Sequence, residues 1–511
     1  MAIKRYLLLL AVLPGLTGCT KMGPDFERPD AWWKPASWLA TTPATPASAR
    51  TSVPVAEPFD AQWWTVLGDP LLNEMQQHLA TANLDLRTAD FRLAQARAQL
   101  GITEAAMTPG MNANASYTRQ QQSRFGTSAT ASSATTSPGT LANGLGGRTA
   151  APNTRLRNPY DLFQFGFDLS WEIDLWGRVA RLVEASGAQV AASEEARRDL
   201  MVSSSAELAR SYLTLRGVQR KIAIFRQNLG IARQSQALTR DRAAGGLTTD
   251  LDVANASVLV ATVEAQLPAL EEQQSRLVNA ISLLLGEQPG ARLAALAAPR
   301  ALPPVPPRVP VGVPGDLTRR RPDIRMAEAN LHVATAVIGV ARADFFPRVV
   351  ISGSGALQAL QVANLREWAS HTYGIGPSVT LPIFEGGRLR RTLELREAQQ
   401  QEAALVYQRT VLNALHEVDN ALTAYGTEQR RRDRVEQAVA EARRALGLAR
   451  LRYEQGVADF LQVLTAQRAL LSAESDLADS TTAVSLDLVQ LYKALGGGWD
   501  PATASAPAPR S

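Results

Sequence analysis

Most of this chain is written twice, which restricts it to one architecture and its repetition. A shift of 210 residues lays Gly177-Arg178 on Gly387-Arg388, Glu207 on Glu417, Gln219-Arg220 on Gln429-Arg430 and Gly246 on Gly456, with no gap. The register still holds from Leu251 to Leu461, from Val253 to Val463, and from Leu285-Gly286 to Leu495-Gly496. A second shift, of 238, pairs Arg87 with Arg325, Leu93 with Leu331, Gly101 with Gly339 and Pro109 with Pro347. At 511 residues the length alone would suggest three or four unrelated domains; the repeat argues against that. The shifts differ by 238 − 210 = 28 residues, and the surplus falls at Ser123–Pro152, a Ser-, Thr-, Ala- and Gly-rich stretch that reads as a surface loop.

Within the unit, residues 163–175 alternate without a fault: every odd position is apolar and every even one is polar or Gly. Side chains along a strand point to opposite faces, so one face collects four aromatics and the other three carboxylates. Thirteen residues exceed the five or six usual for a soluble strand. They fit a strand with lipid on one side and water on the other. The second copy repeats this more weakly at Tyr373, Ile375, Pro377, Val379, Leu381 and Ile383. Partner strands are expected near Met111–Arg119 and Arg348–Leu357, giving one hairpin per copy and four strands per chain.

A very long helix follows each second strand. Arg388 to Glu454 contains no proline, and Val435, Val439, Ala442, Leu446, Ala449 and Tyr453 step by four and three, as a helix-packing seam does. Some 65 residues at about 1.5 Å each span roughly 100 Å. Ala243-Ala244-Gly245-Gly246 and Glu454-Gln455-Gly456-Val457 supply glycines that suit helix-closing turns. Return helices then run to Gly286 and Gly496, the first carrying Pro268 as an expected kink or curvature. Shorter helices, roughly Pro70–Met107 and Pro322–Asp344, precede the first strands, each with Pro at its start. The expected divisions are a signal at 1–18, an amino-terminal segment at 19–69, the first repeat at 70–287, a Pro-rich linker at 288–321, the second repeat at 322–496 and a tail at 497–511.

The single cysteine, Cys19, excludes an intrachain disulfide. Lys4-Arg5, an apolar run from Tyr6 to Leu13, and Leu16-Thr17-Gly18-Cys19 resemble a bacterial lipoprotein signal, in which Cys19 carries diacylglycerol and an N-acyl chain. Thr20 after it implies sorting to the outer membrane. No later run reads as a transmembrane helix, so any crossing is expected to be β structure. Four strands cannot close a membrane barrel, which needs about eight, so the chain must assemble. The net charge of +5, with arginines interspersed among acids, gives no reason to expect nucleic acid. His78, His332, His371 and His416 are dispersed without metal-ligand spacing, and Gly144-Leu145-Gly146-Gly147 does not join a strand to a helix. Glu194-Glu195 and Glu271-Glu272 read as solvated helix faces. No enzyme, metal or cofactor is expected.

In this order, several segments resemble the TolC family of outer-membrane efflux ducts, in its lipoprotein OprM/NodT-like branch. They are Gly23-Pro24-Asp25-Phe26-Glu27-Arg28-Pro29, Trp63-Trp64, Gly68-Asp69-Pro70-Leu71-Leu72, Arg319-Arg320-Arg321-Pro322-Asp323-Ile324, and Arg452-Tyr453-Glu454-Gln455-Gly456 leading into Leu461-Gln462-Val463-Leu464. The resemblance implies a mainly α fold contributing to a transmembrane β-barrel: a homotrimer with a twelve-stranded barrel and a twelve-helix periplasmic tunnel. It implies an exit duct for small molecules such as drugs, working with a periplasmic adaptor and an inner-membrane RND transporter. A duct for secreted polypeptides is the alternative.

The same resemblance assigns residues to the helical tips. Arg242, Gly245 and Gly246 in the first copy, and Arg452, Gly456 and Val457 in the second, would meet the adaptor. Leu461 matches an apolar gate position. Relatives commonly place acids just after the second tip, where this chain has Gln462 and Thr465; its acids, Asp250 and Asp252, stand in the first copy instead. Either the first copy supplies an acidic ring or the constriction is mainly apolar, and carboxylates are also favoured simply in a helix's first turn.

Overall fold

The computed structural model describes residues 21–29, 38, 52–58, 60–121 and 159–499. Cys19 and the signal before it, the Ser123–Pro152 loop and the tail from residue 500 lie outside the described residues. The chain is mainly helical and divides into two compact units, one of residues 1–25, 99–186 and 335–398, the other of residues 26–98, 187–334 and 399–511.

The first unit holds a four-stranded antiparallel sheet in the order β2-β3-β5-β6, with β2 at Gly110–Gln120, β3 at Tyr160–Ile173, β5 at Arg348–Ala359 and β6 at His371–Thr380. All four expected strands are present. Register fixes the faces, because paired residues share one side. Phe167 stands against Ala113 and Gly355, and Asp168 against Asn112 and Ser354. One face therefore carries Met111, Phe163, Phe165, Phe167, Trp171, Ile351, Tyr373, Ile375 and Val379. The other carries Asn112, Asn114, Gln164, Asp168, Ser352, Ser354 and Ser378. Tyr373 and Ile375 are among the most exposed large apolar residues of the chain. Gly166 is forced by this packing: a Cβ there would lie 2.5 Å from that of Ala356.

Seven longer helices occur among the described residues: α1 Pro70–Ala82, α2 Leu84–Ala105, α3 Arg178–Ala244, α4 Asp250–Leu284, α5 Pro322–Ala343, α6 Arg388–Glu454 and α7 Phe460–Ala494. The α6 limits coincide with the proline-free stretch read from sequence. The expected helix over residues 70–107 is instead two, broken at Asn83, whose side chain accepts from Leu86 N–H at 2.9 Å and donates to the Leu284 carbonyl at 2.7 Å. Asp69 caps α1 by accepting from Leu71 and Leu72 N–H, with Pro70 in the first turn where no donor is needed. Helix α4 continues through Pro268.

In the second unit, Trp63 is fully buried and stacks on Tyr492 at 5.3 Å, amid Leu72, Met75, Leu79, Leu208, Tyr212 and Tyr425. Each such side chain contributes about 1.5–3 kcal/mol of burial. The Tyr212 hydroxyl donates to Asp69, and burial together with that bond pushes its pKa up to about 12. A second cluster joins the helical hairpins: Val439, Leu446 and Tyr453 of the expected seam meet Leu229 and Ala232 of α3, Leu259 and Val263 of α4, and Phe460 and Val463 of α7. Two segments that lack periodicity pair with one another. Here β1, Val53–Val55, lies parallel to β4, Arg308–Pro310, beside Ser52, which exchanges 2.8 and 3.2 Å backbone bonds with the Gln429 amide.

Two expectations need correction. Glu195 is not solvated: its side chain is 6% exposed, bridging Arg198 and, at 2.8 Å, Arg325. Both guanidinium groups also lie about the Trp499 ring, at 5.1 and 5.2 Å from its centre, and the Trp499 indole donates to the Arg320 carbonyl. A pairing residue arriving from far along the chain buried a carboxylate that helical periodicity alone left outside. Burial raises the pKa of Glu195, against the pull of Arg325 and Arg198. Second, α4 is long and apolar enough by composition to cross a membrane. Its Ala256, Leu259, Val260 and Val263 are buried within the helical cluster, while Leu251 and Val258 of the same helix are exposed.

Candidate functional site

Two surfaces carry the chemistry: the polar face of the sheet and the two helical tips. On the polar face, Asp168 accepts from the Asn114 amide. Glu172 takes a two-pronged contact from Arg178 at 2.8 and 2.7 Å, with Arg348 at 3.6 Å. Beside these, Trp176 stacks on Phe346 at 4.8 Å and donates to the Pro347 carbonyl at 2.9 Å. The sheet thus offers a polar surface, with charges paired at its base, behind an apolar one. Its outer strands β2 and β6 are each paired on one side only among the described residues.

The tips are built alike because the repeat equates them. At the end of α3, Gly246 has φ +72°, its N–H reaches the Ala243 carbonyl at 2.9 Å, and Leu247 N–H reaches that of Arg242 at 2.8 Å. At the end of α6, Gly456 has φ +75°, with the matching bonds from Gly456 to Tyr453 and from Val457 to Arg452, both 3.0 Å. Glycine occupies that left-handed position at no steric cost. Thr249 then caps α4 and Asp459 caps α7, again 210 residues apart.

The side chains are less alike. Arg242 is half-buried: it donates to the Tyr453 carbonyl at 2.7 Å, with its guanidinium 4.5 Å from the centre of the Tyr453 ring. It therefore ties the first tip to the second. Its counterpart Arg452 is exposed, as are Gly245, Gly246, Gly456 and Val457. Asp250 is exposed, whereas Asp252 is half-buried and accepts from Thr248 at 2.5 Å and Thr249 at 3.3 Å. Leu461, Gln462 and Thr465 are exposed on one side of α7, with the Thr465 hydroxyl returned to the Leu461 carbonyl. Sequence reasoning missed three participants. Tyr453 figures in the sequence as a seam and family-motif residue with no role at the tip; Leu247 and Leu251, exposed at the first tip, are the repeat equivalents of Val457 and Leu461. The 210-residue shift held the signal for both leucines.

No group of three or more His, Cys, Asp or Glu that could hold a metal occurs among the described residues. Neither surface brings together a nucleophile and a base. What they can do is line a water-filled passage and present tips to a partner.

Comparison with known proteins agrees with this geometry. The profile of the outer membrane efflux protein family matches residues 76–287 and 313–497. The chain is 34% identical over 494 residues to outer membrane protein OprJ of Pseudomonas aeruginosa, covering 96% of this chain and 95% of that one. It is 30% identical over 495 residues to the solvent efflux pump outer membrane protein SrpC of Pseudomonas putida, covering 95% and 96%. Among solved structures, the outer-membrane channel OprN superposes with a TM-score of 0.81 at 33% identity, covering 94% of this chain and 99% of that one.

Proposed function

The chain belongs to the outer membrane efflux protein family and serves efflux in the outer membrane; from that premise we propose how it assembles and with what. Three copies close one twelve-stranded barrel and one twelve-helix periplasmic tunnel. Acyl chains on Cys19 anchor each copy. The helical tips, through Arg452, Gly456, Val457 and their first-copy equivalents, dock on the periplasmic adaptor of an RND-type pump, which loads small molecules into the duct.

One observation carries this reading: a sheet with one apolar face, one polar face and two open edges. In lipid an open edge leaves backbone groups unsatisfied, each at a cost of several kcal/mol, so the edges must meet. The duplication says how. Adding 238 to the β2 number and 210 to the β3 number turns the pair Gly110–Ser170 into Arg348–Thr380, the observed first pair of β5 with β6. Applied to Asp168–Ser354, the same shifts set Ser378 of one copy opposite Ser116 of the next.

Cα atoms so paired lie about 4.5–5.5 Å apart, within disulfide reach. Ser116→Cys combined with Ser378→Cys should therefore yield interchain disulfides on oxidation and a covalent trimer in denaturing gels. Pairing Ser116→Cys with Thr380→Cys, two residues out of register, should link far less. Absence of any interchain link from the in-register pair would overturn the seam.

A further inference from the structure

The duplication contains its own control experiment at the start of the two long helices. Gly177, Arg181 and Glu184 of the first copy become Gly387, Arg391 and Glu394 of the second under the 210-residue shift. Both arginines pair with the glutamate one turn on, at 2.9 and 2.6 Å. There the likeness ends. The Arg181 side chain is 1% exposed and that of Arg391 is 81% exposed.

What covers Arg181 is the amino-terminal segment, residues 21–25. Arg181 Nε donates to the Met22 carbonyl at 3.0 Å, and Nη2 donates to the Gly23 carbonyl at 3.3 Å and to Asp25 at 2.7 Å. With Nη1 on Glu184, all three guanidinium nitrogens are engaged. A buried cation is tolerated only when paired and hydrogen-bonded, and here the segment supplies most of the partners. Met22 N–H donates to the Trp176 carbonyl at 3.1 Å, and Lys21 lies 3.6 Å from Glu184.

The backbone fit is equally specific. A Cβ on Gly177 would stand 2.7 Å from Lys21 Cα; one on Gly23, 2.5 Å from Gly339 Cα; one on Gly339, 2.6 Å from the Met22 carbonyl oxygen. Their repeat counterparts, Gly387 of the second copy for Gly177 and Gly101 of the first copy for Gly339, have nothing within 4 Å. The arginine and both glycines recur in the repeat, and within the single chain the ones that meet the segment are closed while their counterparts, at the two edges of the sheet, are open.

We propose that Arg181 seats the amino-terminal segment at the foot of the sheet, holding it there by protein contacts. Lys21 rests against Gly177, four residues beyond the last residue of β3. Two residues of chain reach at most about 7 Å, so the seat sets the height at which acyl chains on Cys19 would meet the membrane. That consequence rests on the lipid anchor proposed above; the seat itself does not.

Trypsin tests it cleanly. Between Cys19 and Arg50, Lys21–Met22 is the one bond after Lys or Arg not followed by Pro. With the full-length assembled protein in detergent, Arg181→Met and Gly339→Ala should each speed cutting at Lys21 by about tenfold or more, while Arg391→Met matches the parent. Gly339→Ala leaves every charge in place, which covers the case of an Arg181 variant that fails to fold. Parent-rate cutting in both variants would overturn the seat, as would equal acceleration by Arg391→Met. A Cys19→Ser chain exported by an ordinary signal should stay slow; fast cutting there would show that lipid holds the segment and would also overturn it. The mass of the fragment ending at Lys21 reports acylation separately, and an unacylated fragment released slowly supports the seat while removing the lipid anchor.

Discussion

Removing one charge should stabilise this protein, and only at the right pH. Asp487 of α7 is half-buried, and that burial, with Glu428 of α6 nearby, raises its carboxyl from 3.8 to about 6. Glu428 is itself engaged by Arg431 at 3.1 Å and by the Ser480 hydroxyl at 2.6 Å. A carboxyl whose folded pKa is raised favours folding less once it ionises. The burden is absent below about pH 4, grows as pH rises through the folded value, and is complete above it. A shift of about two units at about 1.36 kcal/mol each sets a ceiling near 3 kcal/mol. Water still reaches the group, and screening cuts this to about 1.5 kcal/mol. Asp487→Asn should therefore raise stability by about that amount at pH 7.5, or about 2 °C in melting temperature for a unit of this size, and by almost nothing at pH 4. Circular-dichroism melts of parent and variant at both pH values decide it. No gain at pH 7.5, or an equal gain at both, would refute the burial argument.

Two glycines of α3 should respond in opposite senses. A Cβ on Gly217 would lie 2.4 Å from the Thr482 hydroxyl oxygen, whereas one on Gly230 meets nothing within 4 Å; urea unfolding should show Gly217→Ala losing about 1–3 kcal/mol and Gly230→Ala gaining about 0.5–1 kcal/mol. At the tips, changing Asp250 and Asp252 to Asn should weaken cation preference in single-channel recordings if the first copy supplies an acidic ring, and an unaltered preference would sink that idea. Arg242→Ala cuts the tie to Tyr453 and should raise single-channel conductance, while Arg452→Ala, at an exposed position, should not.

Local periodicity carried the elements, and distance along the chain set its limit. The four strands and the 67-residue α6 were legible because period two and period 3.6 are written in neighbouring residues. The tip turns were legible because Gly246 and Gly456 mark left-handed positions. Asn83 was not: it breaks a helix through a bond to Leu284, 201 residues away. The pairing of β1 with β4 was hidden for the same reason, since three-residue strands carry too little pattern to stand out from a Pro-rich background. At the tips, sequence named the positions but not their states. Nothing in the repeat distinguishes Arg242 from Arg452; only the presence of Tyr453, where the first copy has Ala243, gives one of them a partner.

The clamp around Trp499 also says something about the order of events in the cell. Its indole closes against Arg198 from the first half and Arg325 from the start of the second, joined through Glu195. A ribosome releases those arginines roughly 300 and 175 residues before it reaches the tryptophan, which at about 5–20 residues per second is a wait of many seconds. Until then a buried carboxylate and two cations stand without their lid. The clamp in the second unit is thus completed only once Trp499 has been made, and a chain cut short before Trp499 would carry its long helices without that closure.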